Sequence, residues 1–109
     1  MLNEEHFKQI LEQVLDQVFK GKGQERHGHG LNLEQQPWKT ITDNVGIGFV
    51  LGQALKKLME LRTFEPKDNS PEQIEKALSA WKREALGAIV YTIFAIMYKE
   101  YEHITKLKV

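Results

Sequence analysis

The chain has 109 residues, and its 15 Lys and Arg balance 15 Asp and Glu, so the formal net charge is zero. That balance argues against a general nucleic-acid binder, which carries a basic face, while 41% hydrophobic residues are too many for a disordered chain. The absence of cysteine excludes disulfides and thiolate metal sites and agrees with a reducing, cytoplasmic setting. This length predicts a single domain over residues 1–109.

Met1 to Gln9 is polar and acidic and does not read as a signal peptide. Behind it, Phe7, Ile10, Leu11, Val14, Leu15, Val18 and Phe19 recur at spacings of three and four, which predicts an amphipathic first helix. Asn3 is its expected N-cap, with Glu4 and Glu5 in the first turn, where the helix dipole favours anions. Gly21 and Gly23 are expected to stop it.

Residues 21–36 have no hydrophobic period and hold four of the eight glycines. A loop this long inside a small domain is uncommon and often functional. Its core, Gly21-Lys22-Gly23-Gln24-Glu25-Arg26-His27-Gly28-His29-Gly30, joins flexible backbone N–H donors to cationic side chains. That is suitable chemistry for a phosphate group, with Lys22, Arg26, His27 and His29 as the candidate ligand-binding residues. The same residues also read as a solvated surface loop. His27 and His29, two apart, would share a face on a strand and could bind a metal with His6 or a carboxylate, although no carboxylate lies at a recognisable ligand spacing.

Pro37 opens a helix at its first position, expected to run to about Arg62 with a break near residues 43–48. Trp38, just after the loop, is placed either to stack a base or to pack over the helix junction. Ile47, Val50, Leu51, Ala54, Leu55, Leu58 and Met59 form the apolar stripe of this region. Gly48 and Gly52, one turn apart, predict a close backbone approach there. Lys56 and Glu60 are spaced for a surface ion pair.

After a turn at residues 63–70, Ser70-Pro71-Glu72-Gln73 predicts a strong helix start. The last helix carries Ile74, Ala77, Leu78, Trp81, Ala85, Ile89, Ile93, Met97, Tyr101 and Ile104 at helical spacing, a stripe that reads as core, Trp81 included. Residues 85–98 are apolar almost all round, but at fourteen residues they fall short of the roughly 20 needed to span a membrane. A helix of 35 residues would be roughly 50 Å long, whereas a globule of this size is roughly 26–30 Å across. The helix therefore breaks near Gly87 or protrudes into a partner. The expected architecture is an all-α small helical bundle with a long C-terminal helix, completed by homodimerisation.

No Ser-His-Asp or Gly-x-Ser-x-Gly arrangement is present, and without cysteine there is no thiol nucleophile. The carboxylates near apolar helix faces are Asp43, Glu60 and Glu84. Taken in order, Glu25-Arg26-His27-Gly28-His29-Gly30, Trp38, Gly48-Phe49-Val50-Leu51-Gly52-Gln53-Ala54-Leu55-Lys56-Lys57 and Ala88-Ile89-Val90-Tyr91 resemble a group of small, often phage-encoded helical proteins. These are the MazG-like and nucleotide-modification-associated families of the all-α NTP pyrophosphohydrolase type. The resemblance spans about two thirds of the chain as ordered features. It agrees with a nucleotide or nucleotide-like ligand bound through Lys22, Arg26, His27 and His29, with Trp38 and Lys56 or Lys57 nearby. If there is turnover, it implies NTP hydrolysis with Mg²⁺ on Glu60 and Glu84. Where those families carry an acid one turn before the final-helix Tyr, this chain has Gly87-Ala88-Ile89-Val90 before Tyr91, and its nearest acid is Glu84. Two other functions fit the residues. One is a phage-type interaction protein that binds a host protein or sequesters a signalling nucleotide; the other is a purely structural oligomer.

Overall fold

A computed structural model describes residues 1–20 and 32–107. Among these the secondary structure is helical: α1 (Glu4–Phe19), α2 (Pro37–Val45), α3 (Gly48–Glu60) and α4 (Pro71–Leu107), with single 3₁₀ turns at Leu33–Gln35 and Leu61–Thr63. The local signals explain the boundaries. Asn3 Oδ1 accepts from the His6 backbone N–H at 3.0 Å and starts α1. Ser70 Oγ accepts from the Gln73 N–H at 3.3 Å and starts α4. Pro37 occupies the first position of α2. The helix break falls at Gly46, whose φ of 93° is open to glycine and strained for other residues.

α4 is the axis of the fold. It runs unbroken for 37 residues, about 55 Å at helical rise, and accounts for most of the 59 Å length of the molecule. Gly87 lies inside it without ending it. α3 makes the most extensive packing on α4, and α1 packs on it next. The core is small: Val14 and Val18 of α1, Trp38 of α2, Val50 of α3, and Val90, Phe94, Ala95 and Tyr98 of α4. Trp38 and Phe94 are stacked with ring centroids 4.3 Å apart and planes within 5°. Buried Thr42 returns its hydroxyl proton to the Trp38 carbonyl at 2.7 Å, closing the helix on itself where no water reaches.

Several expectations are corrected by this packing. The α4 stripe read as core is largely the outward one. Ile74, Leu78, Trp81, Ile89, Ile93, Tyr101 and Ile104 are exposed, whereas Gly87, Ala88, Val90, Phe94, Ala95 and Tyr98 are buried. Over residues 85–98, apolar almost all round, periodicity cannot say which side faces inward; Ile74, Leu78, Trp81, Tyr101 and Ile104 lie beyond that stretch, in the parts of α4, 71–86 and 99–107, that have no buried residue. Trp81, assigned to packing, is 42% exposed. Gly48 and Gly52 have no neighbour within 4 Å of a Cβ position, so the close approach expected there does not occur. It occurs at Gly87, where a Cβ would lie 2.8 Å from Lys57 Cδ.

Candidate functional site

Lys22, Arg26, His27 and His29 lie outside the described residues. Of the other candidates, Trp38 is only 6% exposed, with one face of its ring against Phe94. Its Nε1 is buried without an acceptor. Leaving such a donor unmet costs about 1–3 kcal/mol, so the apolar area of this ring outweighs its polar handle, as expected of a packing residue. Lys56 is exposed on α3 and borders an open groove with Gly52, Glu60 and Arg62. The Lys56–Glu60 pair does not form among the described residues.

Glu84, the second candidate metal ligand, is engaged elsewhere. Its Oε2 accepts from Lys57 Nζ at 3.0 Å, with the two side chains 17% and 24% exposed. The lysine stem reaches this position by lying across Gly87, which has no side chain to block it. Among the described residues no three His, Asp or Glu side chains stand together as a cation site.

A polar cluster that sequence reading did not single out sits where α2 meets α4. Lys39 Nζ donates to Asp43 Oδ2 at 2.8 Å, and the Tyr98 hydroxyl donates to Asp43 Oδ1 at 2.9 Å. The Lys39 ammonium also lies 4.2 Å from the centre of the Tyr101 ring, within cation–π range. The Lys39 hydrogen bond, joined by that of Tyr98, holds the Asp43 carboxyl below its usual range. The bond to Asp43 raises Lys39 despite partial burial. Burial first, and then the bond to Asp43, raises Tyr98. The cluster borders a pocket of about 120 Å³ whose wall includes Leu33, Glu34, Trp38 and Tyr101. In the sequence, Leu33 and Glu34 stand three and four residues after Gly30. The Lys39–Asp43 spacing of four was a visible signal; the pairing with Tyr98, 55 residues on, was not.

The larger feature of the surface is apolar. On α1, Phe7, Leu11, Leu15 and Phe19 repeat every fourth residue and are all exposed. On α3, Leu51, Leu55, Leu58 and Met59 are exposed, and on α4 so are Ile74, Leu78 and Trp81. Between α1 and α4 lies an apolar slot of about 210 Å³, walled by Leu15, Val18, Phe19, Val90 and Ile93 among others. Scattered exposed hydrophobics are ordinary; here they line up in stripes on three helices.

No family model, curated protein or solved structure matches the chain. Among the described residues, no helix is long and apolar enough to cross a membrane.

Proposed function

We propose that this chain is a cytoplasmic helical interaction protein. It acts as a homodimer and presents further apolar helix faces to a protein partner, which in a phage-type setting is a host protein. The observation that carries the reading is the set of exposed stripes on α1, α3 and α4. A helix of ordinary composition draws most of its stability from burying its apolar face. Here the faces that the sequence invests in most are those the single chain leaves uncovered. Zero net charge leaves little repulsion to oppose association.

The test is to introduce charge on these faces. Leu11→Asp with Leu15→Asp on α1, and Leu55→Asp with Met59→Lys on α3, should leave helix content and cooperative unfolding in place and reduce the binding of an apolar dye. Residues of a true core lose about 2–5 kcal/mol on large-to-small truncation alone. Collapse of the fold on these substitutions would make the stripes core and end the reading.

A second reading follows the Gly- and His-rich segment. A nucleotide or nucleotide-like phosphate would be bound by Lys22, Arg26, His27 and His29, with Trp38 and Lys56 nearby. The observation in its favour is that residues 33 and 34, just past the segment, wall the pocket shared with Lys39 and Tyr101. At about 120 Å³ that pocket is smaller than a typical ligand site of roughly 300 Å³ or more. Hydrolysis with Mg²⁺ on Glu60 and Glu84, the activity implied by the MazG-like resemblance, would require Glu84 to leave Lys57, so no step is assigned to that pair. Thermal-shift measurements against nucleoside triphosphates, cyclic nucleotides and dinucleotides, each with and without Mg²⁺, test this reading. A shift lost in Arg26→Ala/His27→Ala supports it, and breakdown of the shifting compound separates an enzyme from a sequestering protein. No shift with any of them ends it.

A further inference from the structure

Resting on the interaction reading, we propose that the N-terminal part of α4 is where a second copy of this chain docks, with the two α4 helices antiparallel about a two-fold axis between Leu78 and Trp81. The segment 71–86 has no buried residue. It nevertheless carries Ile74, Leu78 and Trp81 at 47%, 53% and 42% exposure, followed by Ala85. Their spacing of four, three and four is that of a coiled-coil seam. Ser70 and Pro71 fix the start of the helix, so the seam is presented on a preformed rod.

Packing and charge select a second copy and its direction. In a parallel, in-register pair, Trp81 would meet Trp81 and Ala85 would meet Ala85, crowding one layer and emptying the next. Antiparallel pairing sets Leu78 of one copy against Trp81 of the other, and Ile74 against Ala85, so each layer joins a larger side chain to a smaller one. Glu75 and Lys82 flank the seam on one side, seven residues apart, and neither makes an ion pair with a described residue. Antiparallel helices bring Glu75 of each copy beside Lys82 of the other, giving two symmetry-related pairs; a parallel arrangement gives neither.

Sedimentation equilibrium on the full chain tests the proposal. The wild type should have the mass of two chains, and Leu78→Asp/Trp81→Glu should be a monomer with unchanged helix content. Glu75→Lys and Lys82→Glu should each weaken dimerisation about tenfold, because two pairs turn repulsive at once, and the double reversal should restore it. Loss without restoration would overturn the antiparallel arrangement, as would a dimer indifferent to Leu78 and Trp81. A monomeric wild type that binds an apolar dye through Leu78 and Trp81 would overturn the second copy, and with it the homodimer, while leaving the protein-partner part of the interaction reading in place. A monomeric wild type that binds no dye would overturn both.

Discussion

Replacing Gly87 with alanine sets two effects of similar size against each other. Alanine in a helix interior is favoured over glycine by about 1 kcal/mol. Here its Cβ would lie 2.8 Å from Lys57 Cδ and 3.0 Å from Cε. The helix backbone cannot retreat, so the flexible lysine stem must, at the expense of the Nζ contact with Glu84 Oε2, now 3.0 Å long. Water partly reaches both groups, so the lost pair is worth about 1–2 kcal/mol. Gly87→Ala should therefore be neutral to destabilising by about 1 kcal/mol in the wild type. In a Lys57→Ala background the obstruction is gone, and the same change should stabilise by about 1 kcal/mol. Urea unfolding followed by circular dichroism, at one fixed protein concentration, gives the four stabilities and a coupling of about 1–2 kcal/mol. An equal effect of Gly87→Ala in both backgrounds would refute the claim that this glycine exists to let Lys57 reach Glu84.

Three further outcomes are expected. Phe94→Ala removes the ring stacked on Trp38 and should cost about 3–5 kcal/mol, with the Trp38 fluorescence shifted to the red as water enters; little change in either would place the core elsewhere. Tyr98→Phe should cost about 1 kcal/mol and change the pH profile. The depressed Asp43 pKa contributes stability above the ordinary carboxyl range that is lost as pH falls through the lowered value. The raised Tyr98 pKa contributes stability below the ordinary phenol range that is lost as pH rises through the raised value. Phenylalanine at 98 should flatten the alkaline limb and shrink the acid limb, and an unchanged profile would remove the cluster from the account. Among the glycines, Gly46→Ala forces a φ of 93° and ψ of 172°, a region almost confined to glycine, on an L-residue and should destabilise by about 1–3 kcal/mol. Gly52→Ala meets nothing within 4 Å and should stabilise by about 0.5–1 kcal/mol; both changes are read by thermal unfolding, and the same sign for both would contradict the backbone argument.

The elements of this fold were legible because their ends are written in local chemistry. Asn3, Pro37, Gly46 and Ser70 each act within four residues, and each sits where its side chain or backbone requires. The facing of α4 was not legible. From Ala85 to Tyr98 almost every position is apolar, so a 3.6-residue period has no contrast from which to read phase, and the inward side is set by what α1 and α3 supply. The same reason hid the role of Gly87, which depends on a lysine thirty residues earlier in the chain. Trp38 illustrates a second limit. An aromatic residue after a polar loop has the same sequence signature whether it stacks on a ligand or on Phe94, and only the fold separates these. The Lys39–Asp43 spacing was visible as a helical pair, yet its closure by Tyr98 and Tyr101 is a tertiary event.

Hydrogen–deuterium exchange over residues 71–86, followed through a dilution series, tests most directly the claim that this chain works through helix faces it cannot cover alone. The amides of this segment should be protected at high protein concentration and should exchange progressively faster on dilution, while those around Val90 and Phe94 stay slow throughout. Protection of residues 71–86 that is equal at every concentration would mean that the single chain already covers them, and would contradict the account.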